Sequence, residues 1–230
     1  MHYGYFDFQH TWSDDERAAF LQNAFEQILT HAAEGSGRKI SRLLRFLRES
    51  DFYRIPCRHH SFAGGNAWHQ LETYAHALAV RQTEYALNDE YRASVPQWLG
   101  GDPLGIAITA LLHDIGNVQG LEYPPRILRR HGRKSTYVLV DYLKFDLMFD
   151  ENMSIIHHQE KDFDTLRDNC PTEEDAQRIW EMPLYQMVRH CDAISCECRM
   201  TESELRQHTE RILSALQKTI ASDTPQTIAT

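Results

Sequence analysis

Apolar residues recur at three- and four-residue intervals along most of this chain. From Ser13 to His31 they fall at Ala19, Phe20, Ala24, Phe25, Ile28 and Leu29, the spacing of one face of a helix. Ser13 followed by Asp14, Asp15 and Glu16 supplies a cap and first-turn carboxylates. Glu34-Gly35-Ser36-Gly37 ends that helix, and a basic helix follows with Ile40, Leu43, Leu44 and Leu47 as its stripe. Pro56 and Gly64-Gly65 mark a loop before a long helix predicted from Ala67 to about Leu87. Residues 89–102 read as a loop, with Pro96 and Gly100-Gly101.

Pro103 suits a helix first turn. Leu104 to Ile115 then forms the most apolar helix of the chain, with Gly116 in a C-terminal cap position. After Pro124-Pro125, the pattern predicts a helix from Arg133 to Met148 that buries Val138, Val140, Leu143 and Leu147. Further helices are expected near Met153–Gln159, Glu173–Trp180, Pro183–Glu197 and Glu202–Gln217, with a frayed end after them. No alternating strand pattern, repeat or linker interrupts this series. The expectation is one all-α domain over residues 1–230: N-terminal helices (13–50), a central part (59–198) and a C-terminal helix (201–220) packed on it.

Composition narrows the function. A chain of 230 residues buries enough core to dispense with disulfide staples. Its five cysteines, odd in number and irregularly spaced, read as thiols of a reduced, cytoplasmic protein. Cys191, Cys196 and Cys198 lack the spacing of a zinc knuckle. The start, Met1-His2-Tyr3-Gly4-Tyr5, has no basic-then-apolar leader pattern, and no run of 18 apolar residues suggests a membrane span. A formal net charge of −9 argues against duplex nucleic acid as a partner, since that needs basic patches. Thirteen histidines turn attention to metal ligation.

The candidate chemistry starts at Leu111-Leu112-His113-Asp114-Ile115-Gly116. A His and an Asp close the most hydrophobic helix, where a buried charge is costly unless paired or bound to metal. Asp192 lies on a second helix, with Val188, Ser195 and Cys196 on its face and Arg189 three residues back as a helical salt-bridge partner. His69 opens the long helix, and His76 follows two turns later on nearly the same face. No P-loop, nucleophile-elbow or dinucleotide-binding fingerprint is present.

The ordered set His69, His113-Asp114 and Asp192, with Ala110-Leu111-Leu112-His113-Asp114-Ile115-Gly116 in the middle and His59-His60-Ser61-Phe62-Ala63-Gly64-Gly65 before the first His, resembles the HD-domain superfamily of metal-dependent phosphohydrolases. The resemblance spans residues 59 to 192. It implies a helical bundle in which His69, His113, Asp114 and Asp192 hold one metal and Asp114 bridges to a second. It further implies that His131 and the His157-His158 pair serve that second ion. Adjacent helical residues point about 100° apart, so one of the pair would bind metal while the other meets substrate.

The cofactor implied is one or two divalent transition-metal ions, Fe, Mn, Zn, Co or Ni, by the mixed His and carboxylate donors. The reaction implied is attack on a small, nucleotide-like phosphoester by metal-activated hydroxide, with Asp114 orienting it and His131 or one of the His157-His158 pair as proton donor. The cyclic-dinucleotide branch is not matched, because Lys161-Asp162-Phe163-Asp164 stands where its Gly-Tyr-Pro would follow. Asn117 occupies the place where many members carry a phosphate-binding Lys. Asn117 itself, Arg130, Arg133, Lys134 and Lys161 are then the candidate substrate-binding residues, with Arg129 beside them. A di-iron oxygenase on the same scaffold and a catalytically idle binding module are the alternatives.

Overall fold

The structure, a computed structural model, describes residues 11–34, 36–81, 103–128, 130–197 and 199–223. The expected extension of the long helix to Leu87, the loop at 89–102, Arg129, Cys198 and the last seven residues lie outside that set. The described residues form ten α-helices and no strand: α1 (Asp14–Ala33), α2 (Ser41–Glu49), α3 (Gly65–Arg81), α4 (Pro103–Leu112), α5 (His131–Thr136), α6 (Phe149–His157), α7 (Phe163–Arg167), α8 (Glu173–Trp180), α9 (Pro183–Glu197) and α10 (Glu202–Asp223). None of these helices is long and apolar enough to cross a membrane.

Helix α3 is the axis of the bundle. It packs on α9, α4, α10 and α1, and Asn66 through Ala77 are all buried. A helix buried on every side is normally apolar all round. This one carries His69, Gln70, Glu72, Thr73 and His76 into the interior. Local bonds satisfy several of them: Gln70 Nε2 donates to Asn66 O and Thr73 Oγ1 to His69 O. The polar load of α3 is what makes a site possible at the centre of an otherwise apolar core.

The ends of the elements follow elementary rules. Ser13 accepts from the Glu16 amide while Glu16 returns to the Ser13 amide, a reciprocal capping box at α1. Asp162 and Thr172 cap α7 and α8 in the same way, each accepting a backbone N–H three residues on. The short α7 was not anticipated from the apolar pattern, because five residues are too few to display a period. Arg38, between α1 and α2, reaches Glu151 at the start of α6 with both guanidinium nitrogens at 2.7 Å. That bidentate geometry is the strong form of the ion pair.

Two boundaries differ from the sequence pattern in ways that matter for the site. The apolar helix ends at Leu112, so His113 and Asp114 stand in a turn that a short 3₁₀ segment, Ile115–Asn117, continues. Gly116 is therefore no left-handed cap. It is instead a point of close approach, since a Cβ there would lie 2.5 Å from Ser135 N. The helix expected at Arg133–Met148 starts at His131 and widens into a π-type turn over Tyr137–Tyr142. The chain then leaves through Lys144 at φ 53°. The wider turn shifts the register, so Val138, Leu139 and Leu143 are buried while Val140 is exposed. Helix α6 accordingly starts at Phe149, four residues before the expected Met153.

Gly132 sets the distance between α5 and α6. A Cβ on it would sit 2.5 Å from the carbonyl oxygens of both Ile155 and Ile156, closer than any tolerated contact. Replacement by Ala must push α5 away from the C-terminal turn of α6. We expect Gly132→Ala to cost about 1–3 kcal/mol of stability, the usual range for overpacking, in a denaturant titration. An unchanged midpoint would show that the two helices have slack here.

Candidate metal centre

Three helices and two turns deliver the polar cluster. His69 comes from the second turn of α3, His113 and Asp114 from the turn after α4, His131 from the start of α5, His158 from the residue after α6, and Asp192 from α9. The turn carrying Asp114 is tied down from several sides. Gly116 N donates to Ser135 Oγ at 3.0 Å, Tyr123 Oη to Gly116 O at 2.9 Å, and Asn117 Nδ2 to Asn66 Oδ1 at 2.9 Å. Asn66 in turn directs its own Nδ2 at Asp114 O, 3.4 Å away.

Two triangles of donor atoms result. In the first, His69 Nε2 lies 2.8 Å from Asp192 Oδ1, His113 Nε2 lies 3.4 Å from the same oxygen, and the two ring nitrogens are 3.4 Å apart. In the second, His131 Nε2 and His158 Nε2 are 3.0 Å apart and lie 3.2 and 3.5 Å from Asp114 Oδ1. Donors bound at about 2.1 Å to one ion stand roughly 3.0–3.4 Å apart in octahedral or tetrahedral arrangements. Two edges of each triangle fall in that range, and the remaining ones, 2.8 and 3.5 Å, lie just outside it.

Tautomers decide what these short distances mean. His113 Nδ1 faces Ala110 O at 2.9 Å and His158 Nδ1 faces Ile155 O at 2.7 Å. A carbonyl oxygen only accepts, so both Nδ1 atoms carry hydrogen. In the neutral rings, Nε2 is then a bare lone pair aimed into the cluster. Asp114 Oδ1 is buried with no hydrogen bond directed at it. Lone pairs and carboxylate oxygens gathered this closely repel one another unless a cation lies among them. The residues present therefore fit a divalent metal. Buried groups able to hold an ion include His69, His113 and Asp114, and likewise Asp114, His131 and His158.

The charges report the same demand. Burial pushes the His113 ring down, but Asp114 and Asp192 outweigh it and hold its proton up to about 9. Burial opposes ionisation of both carboxyls, yet the surrounding histidines keep Asp114 and Asp192 below the usual carboxylate range. His131 behaves differently: burial dominates over the pull of Asp114 and takes its proton away down to about 4. A neutral imidazole suits His131 to ligation.

Not every expected residue joins the cluster. His157 is buried next to it in sequence, but its Nδ1 faces Glu160 Oε1 at 3.9 Å, and His158 supplies the converging nitrogen. His76 is buried further along α3. Arg189 bonds Lys161 O and Gln186 Oε1, so Asp192 is left to the histidines. Asn117 spends its amide nitrogen on Asn66. Arg130 is exposed beside His131, Arg133 is half-buried one turn on, and Lys134 places Nζ 5.3 Å above the Tyr123 ring. Lys161 is exposed, three residues beyond His158.

Sequence reading missed two of the groups behind the ligands, Asn66 and Glu72, and gave Ser195 and Cys196 only as helical neighbours of Asp192. Cys196 joins His69 and Asp192 in a further group of donors within 4.8 Å of one another. Glu72 and Cys196 stand three and four residues after the ligands His69 and Asp192, so helical spacing from a known ligand was the available signal. Compared with known family models, with curated proteins and with solved structures, the chain matches none of them. The geometry therefore carries the functional reading. Replacing His158 with Ala should lower bound metal to about one ion per chain by opening the second triangle, while His157→Ala leaves it unchanged. Elemental analysis of the two variants after loading checks this, and equal losses would contradict the assignment.

Proposed function

We propose that this protein is a metal-dependent phosphohydrolase, a phosphomonoesterase or phosphodiesterase acting on a nucleotide-like substrate at two divalent ions. The observation that carries the reading is the pair of donor triangles on either side of Asp114. His69, His113 and Asp192 would hold one ion, His131 and His158 the other, with Asp114 serving both. Three protein donors at the second ion would leave a coordination position open, as catalytic sites do, and the four at the first would leave positions open on a six-coordinate ion. Nitrogen and carboxylate donors together suit Fe, Mn, Zn, Co or Ni. Bound metal supplies a Lewis acid and water made acidic enough to attack a phosphoester near neutral pH. The order and spacing of the ligands resemble those of the HD-domain superfamily, and an all-helical fold is in keeping with that resemblance.

The chain's own residues define how a substrate meets the site. The His113 and His158 side chains are essentially inaccessible, whereas His131 is 28% and Asp192 17% exposed. Access is therefore from the His131–Asp192 side. Arg130 and Arg133 neighbour His131 in the chain, and Lys161 follows His158. These cations would steer and hold the phosphate. Asp114, fixed by the turn around it, would orient the attacking water.

The test is hydrolysis of p-nitrophenyl phosphate and bis-p-nitrophenyl phosphate by protein loaded with manganese, iron or zinc. We expect turnover with at least one metal and its loss to background in Asp114→Ala. Arg130→Ala and Arg133→Ala should raise KM severalfold with kcat largely kept, the pattern of lost uniform binding. Metal-loaded protein that hydrolyses neither ester nor any nucleotide phosphate, but consumes oxygen with an organic substrate, would move the reading to a di-iron oxygenase.

A further inference from the structure

His69 differs from the other buried ligands in how its far nitrogen is held. His113 and His158 each give Nδ1–H to a backbone carbonyl three residues earlier. His69 Nδ1 instead faces a side chain on another helix, Ser195 Oγ, at 2.8 Å. Ser195 is fully buried and stands one turn after Asp192 on α9. Behind it lies Glu72, a carboxylate with no exposed surface. Glu72 Oε1 accepts from Trp68 Nε1 at 2.8 Å and from Met200 N at 2.7 Å. Glu72 Oε2 lies 3.1 Å from Ser195 Oγ and 2.8 Å from His60 Nε2.

Proton counting gives this chain of contacts a direction. An ionised carboxylate only accepts, and a serine has a single hydrogen to give. Ser195 can give it to Glu72 Oε2, to His69 Nδ1 if that nitrogen is bare, or to His69 O, which is 3.2 Å away and already accepts from Thr73 Oγ1. A hydrogen bond to a charged acceptor is roughly twice as strong as one to a neutral imidazole nitrogen or carbonyl. The hydroxyl hydrogen therefore goes to Glu72. The serine oxygen is left as acceptor, and the 2.8 Å contact must be His69 Nδ1–H donating to it. His69 Nε2, 2.8 Å from Asp192 Oδ1, is then the nitrogen that becomes a metal donor once an ion takes the place of the proton between them.

We propose that Glu72 and Ser195 are positioning residues: through a Ser195 hydroxyl bridge, the buried Glu72 carboxylate fixes the orientation and donor tautomer of the metal ligand His69. The inference rests on the metal reading above and deepens it. Metal-ligating histidines are commonly held by a carboxylate on their outer nitrogen, and loss of such a partner typically costs 10–100-fold in affinity. Here a serine is interposed. The bridge also joins α3 to α9, so the helices that supply His69 and Asp192 are locked at the same point that sets the tautomer.

Zinc binding by competition with a chelating dye, together with proton NMR of the zinc-loaded protein, tests this in Ser195→Ala, Glu72→Gln and the double variant. Thermal melting of each metal-free variant separates folding from binding. We expect Ser195→Ala to lose about tenfold or more in zinc affinity while the metal-free protein stays folded. The double variant should lose no more than Ser195→Ala alone, because Glu72 acts through the hydroxyl. The downfield His69 Nδ1–H resonance should move upfield in Glu72→Gln, although residue 72 does not touch that ring nitrogen. If Glu72→Gln does not fold, Ser195→Ala decides by itself. Wild-type zinc affinity in Ser195→Ala, additive losses in the double variant, or an unmoved resonance in folded Glu72→Gln would each overturn the bridge. Wild-type protein that takes up no zinc would overturn the metal reading, and the bridge with it.

Discussion

The structure is organised around the burial of two carboxylates, Asp114 and Asp192, among histidine nitrogens at the centre of a helical bundle. Removing an ionised carboxylate from water costs several kcal/mol even after relaxation. Nearby histidines answer the charge only if they are protonated or if a cation replaces the protons. The anchoring of His113 and His158 through Nδ1 to backbone carbonyls turns their other nitrogens inward as donors. That arrangement could hold an external cation. The proton that His113 holds up to about 9 stands in for it when none is bound.

Much of the fold serves to bring these groups together without flooding them. Helix α3 is buried along its length, so His69 and Glu72 meet their partners away from solvent. The end of α4 is cut short at Leu112, and the turn that follows is held by Ser135, Tyr123 and the Asn66–Asn117 pair. Gly132 lets α5 lie against the last turn of α6, which is what brings His131 within 3.0 Å of His158. Each constraint is local and modest. Together they hold donor atoms from five chain segments at metal-ligand spacing, where a loosely packed bundle would let them spread apart.

A good part of this was legible in the residues. Helical periodicity located most elements, and the capping signature at Ser13 marked the start of α1 to the residue. The His113-Asp114 pair and Asp192 stand out as polar groups at the end or on the inner face of apolar helices, where they are expensive without a purpose, while the ligand roles of His69, His131 and the His157-His158 pair come with the resemblance to the HD-domain superfamily. Less could be read where geometry beyond period was needed. Whether His157 or His158 turns inward depends on where α6 ends, and helix ends are poorly encoded. The π-type turn after Thr136 moved Val140 outward, a register change that no apolar count reveals. Asn117 looked like a substitute for a phosphate-binding lysine, yet its partner Asn66 lies 51 residues away. The Glu72–Ser195 contact spans 123 residues for the same reason. Such pairs are tertiary facts.

The central claim is that two ions share Asp114, and anomalous diffraction from crystals of metal-loaded protein tests it most directly. The account predicts two anomalous peaks roughly 3.5–4 Å apart, the usual separation in two-metal sites. One should lie against His69, His113 and Asp192, the other against His131 and His158, with Asp114 between them. Fully loaded crystals with no peak at these residues, or with ions bound only elsewhere on the chain, would contradict it.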